Sequence, residues 1–205
     1  MRDLEIRGAG NLLGSQQHGH IESVGYDLYM KLLNEAILEE KGGTSDASRK
    51  VECTVEIHCD AYLPEKYIRT AAQRIDAYKK IASIENAEDY SDITDELLDR
   101  YGDIPKSGMN LMKISLIRGM ASTLGISKVE QRDSSVLMFP EKPDIEIWTT
   151  LAAEYKGRLL MNVGSKPYTS LRIRKEDKPL DLIIELLKKY TEIKYPKEDK
   201  KAEKK

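Results

Sequence analysis

Near Gly125 the hydrophobic pattern changes its period, and that change constrains the fold more than any other feature of the chain. Before it, apolar residues recur at helical spacing. Ile68, Ala71, Ala72, Ile75, Tyr78 and Ala82 predict a helix over 65–84, with Arg69, Arg74, Lys79 and Lys80 on its wet side. Tyr90, Ile93, Leu97 and Tyr101 predict a second helix over 87–101, stopped by Gly102, and a third begins near Pro105 and runs to Gly125. After Gly125 the segments ISKVEQ, SVLMF, RLLMNV and SLRIRK read as four short strands, the first two joined by a polar turn at Asp133-Ser134-Ser135. Helices are expected near 144–156 and 179–192. A helix cluster followed by mixed strands and helices points to an α+β domain with a small, mostly antiparallel sheet.

Upstream, VECTVEI alternates Val51, Cys53, Val55 and Ile57 with Glu52, Thr54 and Glu56, the pattern of a half-buried strand. Residues 23–40 are expected to form an amphipathic helix that makes, with the segment before it, a helical N-terminal appendage. The polar stretch KGGTSDASRK then reads as a linker. These features divide the chain into 1–46, a domain over 47–193, and a charged tail over 194–205 expected to be disordered. Among 205 residues, Lys+Arg 33 nearly balances Asp+Glu 35, so no overall field draws the chain to nucleic acid or an anionic membrane. No run approaches the roughly 18 apolar residues of a membrane span, and no signal-peptide core opens the chain, which makes the cytoplasm the expected location. Cys53 and Cys59, six apart on one strand, would lie roughly 20 Å from each other and are expected to be free thiols.

Candidate chemistry is sparse. RGAGNLLGSQQHGH carries Gly8, Gly10 and Gly14 at the first, third and seventh positions, where a dinucleotide fingerprint needs the first, third and sixth. No Gly-Lys-Ser/Thr of a Walker loop follows. His18 and His20 lack nearby third and fourth ligands, and Cys53, His58 and Cys59 fit strand alternation with the cysteines inward, so no metal site is expected. No nucleophile, base and orienting group fall into a catalytic pattern. Asp92, Asp95, Glu96 and Asp99 form one acidic stripe on the second helix, which suits either a solvated face or a docking surface for a basic partner.

The opening MRDLEIRGAGNLLGSQQHGH with IESVGYDLYMKLLNEAI, and then DAYLPEKYI, QRIDAYKKIAS, DELLDRYGDIP and LGISKVE, resembles the C-terminal part of bacterial transcription-repair coupling factors (Mfd). The first motif is also similar to the end of RecG-type branch-migration helicases. The resemblance covers most of residues 1–130 and is looser beyond. It implies that the chain is a piece of a larger ATP-dependent DNA translocase that couples stalled transcription to nucleotide excision repair, with residues 1–46 the edge of its second motor lobe. Arg7, Gly8, Gly10, Gly14 and Gln17 would belong to the translocation motif, with Arg7 and Gln17 relaying ATP hydrolysis to movement. ATP and Mg would be cofactors of the parent, none of this chain, which is expected to have no enzymatic activity.

The resemblance further implies that the domain after the linker is regulatory. It would dock on the N-terminal UvrB-like module of the same parent and mask the surface that recruits UvrA. Glu96, Asp99 and Arg100 in DELLDRYG would carry that contact. RNA polymerase, UvrA and double-stranded DNA would be partners of the parent, with no membrane involved. The rival reading is a nucleic-acid-binding module that uses the basic helix 65–84 and the lysine tail.

Overall fold

The computed structural model describes residues 51–196. The motif residues Arg7, Gly8, Gly10, Gly14 and Gln17, the histidines His18 and His20, the helix read over 23–40, the linker and the end of the tail lie outside the described residues.

Within them the order is β1 (Thr54–Glu56), α1 (Ala71–Ala82), α2 (Ala87–Tyr101), α3 (Lys106–Thr123), β2 (Ile126–Arg132), β3 (Ser135–Pro140), α4 (Ile145–Glu154), β4 (Leu159–Asn162), β5 (Tyr168–Arg172) and α5 (Pro179–Lys194). The strands form one sheet in the order β1-β2-β3-β5-β4. Only β1 and β2 run parallel; the remaining pairs are antiparallel. The α+β class with a mostly antiparallel sheet therefore stands. Asp133, at φ 49°, turns β2 into β3 at the predicted place.

α3 is the spine of the domain. It is apolar nearly all round, so it contributes to two cores at once. Ile114, Ile117 and Ala121 join Val55, Val129, Val136, Met138 and Leu171 of the sheet, together with Trp148 and Leu151 of α4 and Ile183, Leu186 and Leu187 of α5. Leu111, Met112 and Leu116 face the other way, against Leu63, Ile68, Tyr78, Ile81, Ile84 and Leu97. This second core fixes α1 and α2 on α3. Trp148 is 1% exposed with its ring 4.9 Å from that of Tyr190, so it is a core residue as its helical position suggests.

Two expectations need correction. The helix read over 65–84 begins only at Ala71, because residues 64–68 close a turn in which the Tyr67 and Ile68 amides donate to the Pro64 carbonyl. The later start changes the buried face: Ala71 and Ala72 are exposed, whereas Arg74 is buried. Arg74 is tolerated there because its guanidinium donates to the Ile68 carbonyl at 2.9 Å and pairs with Glu65 at 3.4 Å. The strand read through Cys59 stops at Glu56, after which the Cys59 amide turns back onto the Ile57 carbonyl. Cys53 points into the core, but Cys59 is exposed rather than inward, and the two form no disulfide.

Candidate functional site

The acidic stripe lies on α2, a helix whose ends are set by its own sequence. Asn86 caps it, its Oδ1 accepting from the Glu88 and Asp89 amides, while the Asp89 carboxylate accepts from the Asn86 amide in return. Glu88 and Asp89 in the first turn and Arg100 in the last complement the helix dipole. At the far end the chain leaves through Gly102 at φ 77°, a conformation that glycine adopts without strain. The apolar stripe seats the helix: Leu97 is buried, and Tyr90, Ile93 and Tyr101 are half-buried against the second core. The Tyr67 ring meets Tyr101 edge-on at 5.9 Å, and its hydroxyl lies 3.2 Å from the carbonyls of Leu97 and Gly102.

Seating that stripe turns the acids outward. Asp92, Asp95 and Asp99 are exposed and make no ion pair among the described residues. Glu96 and Arg100 sit closer to α1 and are bound into a four-member network. Lys80 Nζ and Arg100 Nη1 both donate to Glu96 Oε1, the latter at 2.9 Å. Asp76 Oδ2 lies 3.7 Å from Arg100 Nη1 and 3.8 Å from Lys80 Nζ. The Lys80 hydrogen bond first, and that of Arg100 second, hold the Glu96 carboxyl below its ordinary pKa. The same pairing with Glu96 raises Arg100, whose guanidinium also lies 5.1 Å above the Tyr101 ring.

The network is neutral as a unit, two acids against two bases, while the neighbouring Asp92, Asp95 and Asp99 leave the face negative. Both cations address Oε1 of Glu96, whose side chain is 36% exposed. A planar guanidinium on a partner fits such a carboxylate.

Of the residues expected at this contact, the structure brings Glu96 and Arg100 into one network and leaves Asp99 beside it on the exposed face. Sequence reading missed Asp76 and Lys80. The available signal was two acid-to-base pairs at i, i+4 spacing, Asp76/Lys80 and Glu96/Arg100, on consecutive helices. Cys53, His58 and Cys59 do not converge, and the described residues contain no group of three or more metal-ligating side chains. No helix among them is long and apolar enough to cross a membrane. In the basic helix of the rival reading, Arg74 is buried and Lys80 is paired with Glu96.

The class that this fold defines is a small layered α+β domain of the TRCF type, and residues 57–149 match the family model described as the TRCF domain. The transcription-repair-coupling factor of Bacillus subtilis (strain 168) is 37% identical over 185 residues, covering 90% of this chain and 15% of that protein. The Staphylococcus epidermidis RP62A protein of the same name is 43% identical over 136 residues, 66% of this chain and 12% of the relative. A crystal structure of the C-terminal domain of transcription-repair coupling factor superposes with a TM-score of 0.63 at 23% identity, over 74% of this chain and 99% of that one. The chain belongs to the transcription-repair coupling factor family, and it spans about 15% of the length of the Bacillus relative.

Proposed function

We propose that this chain is the regulatory C-terminal part of an ATP-dependent DNA translocase that couples stalled transcription to nucleotide excision repair. The α1–α2 face is its working surface. In this reading it docks on the UvrB-like module of the same parent and masks the surface that recruits UvrA. The observation that carries the reading is the acidic edge of α2, exposed Asp99 beside Glu96 in its pairing with Lys80 and Arg100, on a helix seated by its own capping box and apolar stripe. Exposed ion pairs are individually weak, about 0–1 kcal/mol, so a latch built from them yields to modest competing contacts when polymerase and DNA favour the open state. RNA polymerase, UvrA and duplex DNA are then partners of the parent. ATP and Mg serve its motor, while this chain turns nothing over.

The test uses the full-length parent. Charge reversal at Glu96 and Asp99 should raise basal ATPase activity or UvrA binding; unchanged values in a folded protein would remove the contact. The translocation motif makes a separate demand. Arg7→Ala should leave ATP hydrolysis largely intact while impairing movement on duplex DNA, whereas equal loss of both would argue against a relay.

A further inference from the structure

Among the described residues, the helices pack on one face of the sheet, that of Val55, Val129, Val136, Met138 and Leu171. On the other face, side chains line up across the strands in rows: Arg132, Ser135 and Arg172; then Glu130, Leu137, Ser170 and Leu160. Next to these lie Phe139, the only phenylalanine in the chain, and Tyr168, with ring centroids 6.0 Å apart. Leu160, on the edge strand β4, is 63% exposed. The surface is therefore apolar and aromatic at its centre, and it borders the most basic stretch of the domain. Residues 156–178 hold seven cations and two acids in a chain whose net charge is -2.

Arg158 alone among those seven is spent internally, on Asp177 and the Arg172 carbonyl. Lys156, Lys166, Arg172, Arg174, Lys175 and Lys178 are exposed and make no ion pair among the described residues. The acids on this face, Glu130 and its β1 neighbour Glu56, are both paired: Lys128 lies 2.9 Å from Glu56 and 3.3 Å from Glu130, and Arg132 lies 2.8 Å from Glu130, which blunts their repulsion of an anion. This stretch also lies beyond residues 57–149, the part matched by the family model.

We infer that the open face of β3 and β5, with the β4–β5 hairpin, binds single-stranded nucleic acid. Cations beside half-buried aromatic rings on a sheet match the two demands of such a ligand, phosphates to neutralise and unpaired bases to stack. Tyr168 and Arg172 are four residues apart on β5, about 13 Å, so a base can lie on the ring while a neighbouring phosphate reaches the guanidinium. Ser135 and Ser170 between them leave room above the sheet. A duplex hides its bases and would leave the rings without a stacking partner.

Fluorescence anisotropy of labelled oligo(dT) and oligo(U), titrated with the full 205-residue chain, tests this directly. Binding should weaken steeply as salt rises. Tyr168→Ala should lower affinity at least five-fold, in line with the ~1–3 kcal/mol of one base stack. Arg172→Glu should lower it and flatten the salt dependence, while Lys66→Glu on the distant 64–68 turn should change little; circular dichroism verifies the fold of each variant. Tighter binding of one oligonucleotide than the other identifies DNA or RNA as the ligand and supports the site. Equal affinity for a duplex with no effect of Tyr168→Ala would overturn it as mere phosphate attraction. Absence of binding would overturn it too, as would binding of polyglutamate in place of either oligonucleotide.

Discussion

Gly119 on α3 touches the backbone that links α1 to α2, and its replacement by alanine tests how the docking face is held. A Cβ at this position would lie 2.5 Å from both the Cα and the carbonyl oxygen of Glu85, and 2.7 Å from its carbonyl carbon. All three are main-chain atoms, so no rotamer change relieves the clash. The linker cannot slide freely, because Ile84 is 1% exposed in the second core and Arg118 donates to the Ala82 carbonyl. Overpacking of this kind costs about 1–3 kcal/mol, and rigid backbone on both sides places the site at the upper end. Alanine returns about 1 kcal/mol of helix propensity over glycine. The net loss is then about 2 kcal/mol, which at ~2 kcal/mol/M lowers the urea midpoint by about 1 M.

The assay is urea unfolding followed by circular dichroism and by the fluorescence of Trp148. Gly108→Ala is the internal comparison: its Cβ would meet only side chains, Ile104 Cγ2 at 3.1 Å and Leu63 Cδ2 at 3.3 Å, which can shift. It should cost clearly less. An unchanged or raised midpoint for Gly119→Ala would refute the close approach of α3 to the linker, and with it the fixed placement of the α2 capping box.

Two titrations follow from the same structure. Glu96 is held below its ordinary pKa, so its contribution to stability is present above pH ~4.5 and is lost as pH falls through its lower, folded-state midpoint. Carboxyl NMR should find that depressed midpoint, and Lys80→Met should move it upward; a Glu96 midpoint at the ordinary carboxylate value would contradict the network. Burial pushes the Tyr190 hydroxyl up to about 12. Its raised value means that folding is favoured below the unfolded tyrosine pKa and loses stability as pH climbs from about 10 towards 12. Tyr190→Phe should reduce that alkaline loss in unfolding measurements, and an identical pH dependence in both proteins would count against burial as its cause.

The reach of the sequence varied with how local each determinant was. α2 could be read from its two stripes and Gly102, which all lie within or beside it, and the β2–β3 turn was equally self-contained; the Asn86 cap of α2 was missed. α1 was misphased because Arg74 is buried through a carbonyl six residues back and Glu65, a tertiary solution that a hydrophobicity pattern scores as exposed. The docking face was half legible. Glu96, Asp99 and Arg100 stand together on one helix, but Asp76 and Lys80 join them only once Leu97 and Ile81 have packed α1 beside α2. The exposed sheet face has the same character, since β5 pairs with β3 rather than with the neighbour in sequence order alone, and only that pairing sets Tyr168 beside Phe139.

Binding in trans measures most directly whether the α1–α2 face is a charged docking surface. The 205-residue chain is titrated against the separately purified UvrB-like module of the parent, by calorimetry at two salt concentrations. The wild-type chain should bind, more weakly at high salt. Glu96→Lys with Asp99→Lys should lower affinity at least ten-fold, about 1.4 kcal/mol, in a protein with an unchanged circular dichroism spectrum. Equal affinity of the wild-type and charge-reversed chains would contradict the account.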